Sequence, residues 1–268
     1  MGPERSGTCL STVPGTGSIC YVCGLEPQRG CRLSAEHNDN FSNDGAGLWR
    51  RQRLIEVAVF LFLIVPSMAL SFFSIGRGEA DFPLIAAASM LQDLALMALV
   101  LYFLWRNGES PRSVGLSLAN GATEVLWGVV LFVPFAMGVG ALEKALRAAG
   151  LSLPEQAPSY LIPAGAWEYG LALAFLVVVA VSEEVIFRGY LILRFEEITG
   201  SSVAAVLLSA TIFSIGHGYQ GTAGVIAVGV MGVAFAVVYL WRGSLLAPMV
   251  MHFMQNFVGI MLAPMAAN

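Results

Sequence analysis

Between Val57 and Leu262 the chain carries seven apolar runs: Val57 to Ile75, Leu84 to Trp105, Val125 to Leu142, Trp167 to Phe195, Val203 to His217, Ala223 to Trp241 and Leu245 to Leu262. Most approach the ~20 residues that a helix needs to cross a ~30 Å hydrocarbon core. Composition agrees. Of the 268 residues, 57% are hydrophobic and 12% charged, with a mean hydropathy of +0.73. A water-soluble domain carries about 25% charge, and half of that leaves too few polar side chains to cover a water-facing surface. The expected fold is all-α, a polytopic transmembrane helical bundle of about seven membrane segments. The net charge of −4 is small and argues nothing about nucleic acid, but the absence of a basic tract with interleaved aromatics argues against such a partner and leaves membrane lipid as the surrounding medium.

The four cysteines, Cys9, Cys20, Cys23 and Cys31, all precede the first apolar run. Cys20 and Cys23 with Cys31 and His37 resemble half of a zinc knuckle, but the second tight pair is missing. Met1 to Asn43 is rich in Gly, Ser, Pro and Asn and has no apolar h-region, so it reads as a disordered tail and not as a secretory signal. The expected organisation is a disordered polar tail over 1–48, then a transmembrane helical domain over 49–268 with its motif-bearing core at 167–262.

Arginine and lysine set the orientation. With the N-terminus inside, alternate connections place Arg50, Arg51, Arg53, Arg106, Arg112, Arg194 and Arg242 on the cytoplasmic side, against Arg77, Lys144 and Arg147 outside. The expectation is an integral protein of the plasma (inner) membrane with a cytoplasmic N-terminus. Gly224, Gly229, Gly232 and Ala236 give the sixth run a small-residue character that suits close helix packing.

The costly residues lie in the fourth run, where Glu183 and Glu184 follow the apolar stretch Tyr169 to Val181. An ionisable group at membrane depth marks a functional site unless a partner explains it. Helical spacing puts Glu184 and Arg188 on one face and turns Glu183 about 100° away. The other candidates are His217, closing the fifth run after Phe213, and His252 with Asn256, four apart on one face of the seventh. Asp93, in the second run, reads as an acid hydrogen-bonded within the bundle or set at a wet crevice. If the fourth and fifth runs form a hairpin turning near Thr199 and Gly200, Glu183 and His217 each lie about 24 Å from the turn and are level. That requires the fifth run to be a partial crossing, with Gly216, Gly218 and Gly221 as irregular backbone inside the bundle. A full crossing would carry His217 to the far side.

Glu183, Glu184 and Arg188, then Phe213 and His217, then His252 and Asn256 resemble the Glu-Glu-x-x-x-Arg, Phe-x-x-x-His and His-x-x-x-Asn/Asp motifs of the type II CAAX prenyl endopeptidases. That family of intramembrane proteases also includes bacteriocin-processing and abortive-infection proteins. The similar stretch runs from Tyr169 to Phe257. The resemblance implies that Glu183 is the base that activates water, that His217 assists it, and that His252 and Asn256 stabilise the oxyanion. It implies supporting roles for Glu184, Arg188 and Phe213. The chemistry agrees, since peptide hydrolysis needs a base for water and donors for the developing oxyanion.

No cofactor is firmly implied. Zinc held by Glu183, His217 and His252 is the mechanistic alternative, although no His-Glu-x-x-His motif is present. Two other classes stay open: a catalytically silent membrane scaffold or immunity protein, and a transporter using intramembrane acids. The expected substrate is a peptide or a membrane protein.

Overall fold

The structure is a computed structural model that describes residues 39–71, 81–151 and 157–266. The cysteine-bearing stretch lies outside the described residues. The chain divides into two units, Met1–Ala46 and Gly47–Asn268. Among the described residues the secondary structure is helical throughout: α1 Asp39–Ser71, α2 Phe82–Arg106, α3 Gly121–Ala148, α4 Ala166–Glu183, α5 Ile192–Thr199, α6 Ser202–Ile215, α7 Gly221–Arg242, α8 Leu246–Phe257 and α9 Ala263–Ala266. Two π-helical stretches, Glu184–Leu191 and Val258–Leu262, join α4 to α5 and α8 to α9. The segment 39–48, expected to be disordered, is therefore helical, as the first turns of α1.

Among the described residues, four helical stretches are long and apolar enough to cross a membrane: Phe82–Arg106, Gly121–Ala148, Ala166–Thr199 and Gly218–Arg242. They make this an integral membrane protein. Large apolar side chains such as Phe62, Leu91, Trp105, Met137 and Val203 cover the outside of the bundle, as lipid requires. The third of these stretches is the most enclosed and forms the centre of the protein.

At one end of the bundle, ion pairs fasten α1, the end of α2 and α5. The fully buried Arg194 contacts Glu56 at 2.9 Å, Glu109 at 2.7 Å and Glu197 at 3.1 Å. Arg53 pairs with Glu109 as well. Glu56 also accepts hydrogen bonds from Tyr190 at 2.9 Å and Asn107 at 2.8 Å. Each charge is matched within the cluster, as buried charges require.

The hairpin of the fourth and fifth runs is present. Gly200, at φ +71°, caps α5, and Ser201 caps α6 by accepting a hydrogen bond from the Ala204 amide. At 14 residues, α6 reaches only about 21 Å, short of a full crossing. It ends inside the bundle at a turn and a single 3₁₀ turn, Gly218–Gln220, which leads into α7. Small residues allow α7 to lie close against α6: a Cβ on Gly232 would sit 3.3 Å from Ala210, Phe213 and the guanidinium of Arg188. A tight approach between α3 and α8 was not apparent from the sequence. Gly128 of α3 faces α8, where a Cβ would come within 2.6 Å of Val250 and 2.8 Å of the Ala247 carbonyl.

Candidate active site

The π-helical stretch begins at the double glutamate and is buried throughout, from Glu184 to Leu191. Such stretches inside α-helices occur often at functional sites. Its backbone is also pinned from outside, because the Ser209 hydroxyl of α6 donates to the Phe187 carbonyl at 2.6 Å. The expectation of an unbroken α-helix through Glu183 and Arg188 is thus corrected, although the predicted pair survives. Arg188 Nη1 lies 2.9 Å from Glu184 Oε1. The contact is an ion pair without good hydrogen-bond alignment, since both Nη atoms lack a hydrogen-bond partner. The guanidinium instead lies over the Phe213 ring at 4.2 Å and near Phe235 at 5.3 Å, which adds cation–π attraction in a desolvated setting.

The two glutamates are divided by exposure. The side chain of Glu184 is fully enclosed, whereas that of Glu183 keeps 19% of its surface open. Glu183 lines a cavity of about 860 Å³. His217, His252 and Asn256 line the same cavity, as does Phe213. All four residues expected to act are therefore brought together, and the supporting Glu184 and Arg188 lie directly behind them.

Both histidines are held by one nitrogen. His217 Nδ1 is 3.1 Å from the Phe213 carbonyl of its own chain turn. A carbonyl only accepts, so Nδ1 carries the proton and Nε2 keeps its lone pair. His252 Nδ1 lies 2.8 Å from Glu184 Oε1, and its Nε2 lies 3.5 Å from Glu183 Oε2. The His252 ring thus bridges the two carboxylates, stacked on Phe235 at 5.5 Å. At 3.5 Å the Glu183 contact is an electrostatic approach and no hydrogen bond, and Glu183 Oε2 has no hydrogen-bond partner among the described residues. Phe213 separates the groups: its ring meets His217 at 4.8 Å, His252 at 6.0 Å and Phe187 at 5.0 Å.

Among the described residues no three His, Cys, Asp or Glu side chains are grouped to hold a metal ion. His252 is engaged through Nδ1 by Glu184, and its Nε2 is turned toward Glu183.

Further polar residues line the cavity, among them Asp93 of α2, Glu143, Arg147 and Tyr219. Tyr219 stands two residues beyond His217 in the irregular stretch. Nothing in the sequence distinguished this tyrosine except its place among glycines after the histidine.

Residues 165–258 match the family model described as Rce1-like, type II CAAX prenyl endopeptidase. The match spans the same stretch as the resemblance read from the three motifs and contains every one of their residues. No curated protein and no solved structure matches the chain.

Proposed function

Taking that family match as the premise, we propose that the protein is an intramembrane endopeptidase of the CAAX type that hydrolyses a peptide bond near the membrane interface. The observation that carries this reading is the convergence of Glu183, His217, His252 and Asn256 on one cavity.

Glu183 is the base. It is the glutamate of the pair that faces the cavity, and its Oε2 has a lone pair uncommitted to protein donors. It takes a proton from water, while His217 accepts a hydrogen bond from the same water through Nε2 and aims it. The water oxygen bonds to the scissile carbonyl carbon, and the carbonyl oxygen gains negative charge. Asn256 donates to it from its NH₂ group, and His252 from Nε2. With Nδ1 donating to Glu184, Nε2 donates only from the imidazolium, a cation flanked by Glu183 and Glu184. Glu184 therefore holds both the His252 ring and Arg188 in place. The substrate is a peptide or membrane protein presented from the lipid.

The test is proteolysis by purified protein in detergent, using a mixture of membrane-partitioning peptides that includes S-prenylated CAAX peptides, with products read by mass spectrometry. Glu183→Gln should abolish turnover. Asn256→Ala should lose about 10²–10³ in rate, as removal of one oxyanion donor does. Activity should persist in a strong chelator. Chelator loss reversed by zinc would favour a metal mechanism, and full activity of Glu183→Gln would leave the scaffold and transporter readings.

A further inference from the structure

Peptide hydrolysis needs two proton transfers, and the residues named so far account for one. Glu183 removes a proton from water, but the C–N bond breaks readily only if the departing nitrogen is protonated as it leaves. Glu183, His217, His252 and Asn256 are all occupied with the water or the oxyanion. The cavity wall holds two further acids on other helices, Glu143 on α3 and Asp93 on α2, and of these helices α2 is the one that packs along α4. The register of Asp93 on α4 is held one turn later, where the Ser182 hydroxyl points at Met97 sulfur at 3.8 Å. Asp93 is partly buried and lines the same cavity as Glu183. Two carboxylates that line one cavity inside a helical bundle cannot both remain charged at low cost, and such pairs retain one proton between them.

On the protease reading above, we propose that Asp93 is the catalytic acid that delivers the retained proton to the leaving amine. The cycle balances. Water gives H⁺ to Glu183, and its oxygen bonds to the carbonyl carbon. The tetrahedral intermediate collapses, the C–N bond breaks, and the nitrogen takes the Asp93 proton to leave as a neutral amine. The proton on Glu183 then returns to Asp93, which restores the starting pair. α8 supplies the oxyanion donors and α2 the acid, and both flank α4, which carries the base. The three functions thus come from three walls of one cavity.

The experiment compares a cleaved peptide from the mixture with its depsipeptide, in which the scissile amide is an ester. An alkoxide leaves without full protonation, whereas an amine does not. Asp93→Asn should therefore lose about 10²-fold or more on the amide, as loss of general acid catalysis does, and far less on the ester. Asp93→Glu should keep the wild-type ratio of ester to amide rates. Because both rates come from one preparation, the ratio is independent of the fraction of folded protein. It thus separates proton donation from a structural role. An unchanged ratio in Asp93→Asn, with Glu183→Gln inactive, overturns this inference and leaves the protease reading intact. Wild-type protein that cuts no peptide of the mixture overturns both.

Discussion

Glu184→Gln removes one negative charge from the middle of the bundle and changes little else. Glutamine keeps the volume and one acceptor oxygen, so the packing around position 184 stays as it is. What changes is the shared partner of Arg188, whose side chain is 2% exposed and 2.9 Å from Glu184 Oε1, and of His252 Nδ1, 2.8 Å from the same oxygen. Breaking a buried pair by removing one charge costs about 3–5 kcal/mol, because the other charge stays buried without compensation. Two features put this site at the lower end. The guanidinium lies on the Phe213 ring at 4.2 Å, and the charge of Glu183 also acts on it. About 3 kcal/mol corresponds to a fall of roughly 6–12 °C in Tm for a domain of this size. The assay is thermal unfolding of purified protein in one detergent at one scan rate, since unfolding of such proteins is commonly irreversible. Combining Glu184→Gln with Arg188→Met replaces the pair with uncharged groups and should recover most of the loss, as such replacements are often neutral. A Tm for Glu184→Gln within about 2 °C of wild type would refute the reasoning. So would a double variant whose loss equals the sum of the single losses.

Acid should weaken the charge cluster that fastens α1 to α5. Burial pushes the Glu56 carboxyl up, but the Asn107 hydrogen bond, the Arg194 guanidinium and the Tyr190 hydroxyl together outweigh it and hold the group below its ordinary 4.5. A carboxyl depressed in the fold contributes stability above its unfolded value and loses that contribution as pH falls through the folded one. Wild-type Tm should therefore drop below pH 4.5 more steeply than that of Glu56→Gln, and parallel Tm–pH curves would count against it. At the α3–α8 contact, Gly128→Ala should cost about 1–3 kcal/mol by overpacking against Val250 and the Ala247 carbonyl. Gly138→Ala, with nothing within 4 Å of its added carbon, should be neutral or slightly stabilising by the same thermal assay.

The helices and their order were legible from the sequence because lipid imposes a single local rule: an apolar run must satisfy its own backbone, and only a helix does so within one segment. The polar residues of the site were legible for the complementary reason. In a body so apolar, Glu183, Glu184, His217, His252 and Asn256 stand out one by one, and helical spacing alone pairs Glu184 with Arg188. Packing decided the rest. Whether Glu183 or Glu184 meets a substrate depends on which side of the fourth helix faces the cavity, and the π-helical stretch after Glu183 alters the turn on which that depends. The tautomer of His217 rests on the Phe213 carbonyl, and the ring of His252 is turned by a glutamate 68 residues earlier in the chain. Tyr219 and Asp93 enter the site only because a short α6 ends inside the bundle and α2 lies along α4. Those are distances between segments, which side-chain volumes across helix contacts determine and no local pattern encodes.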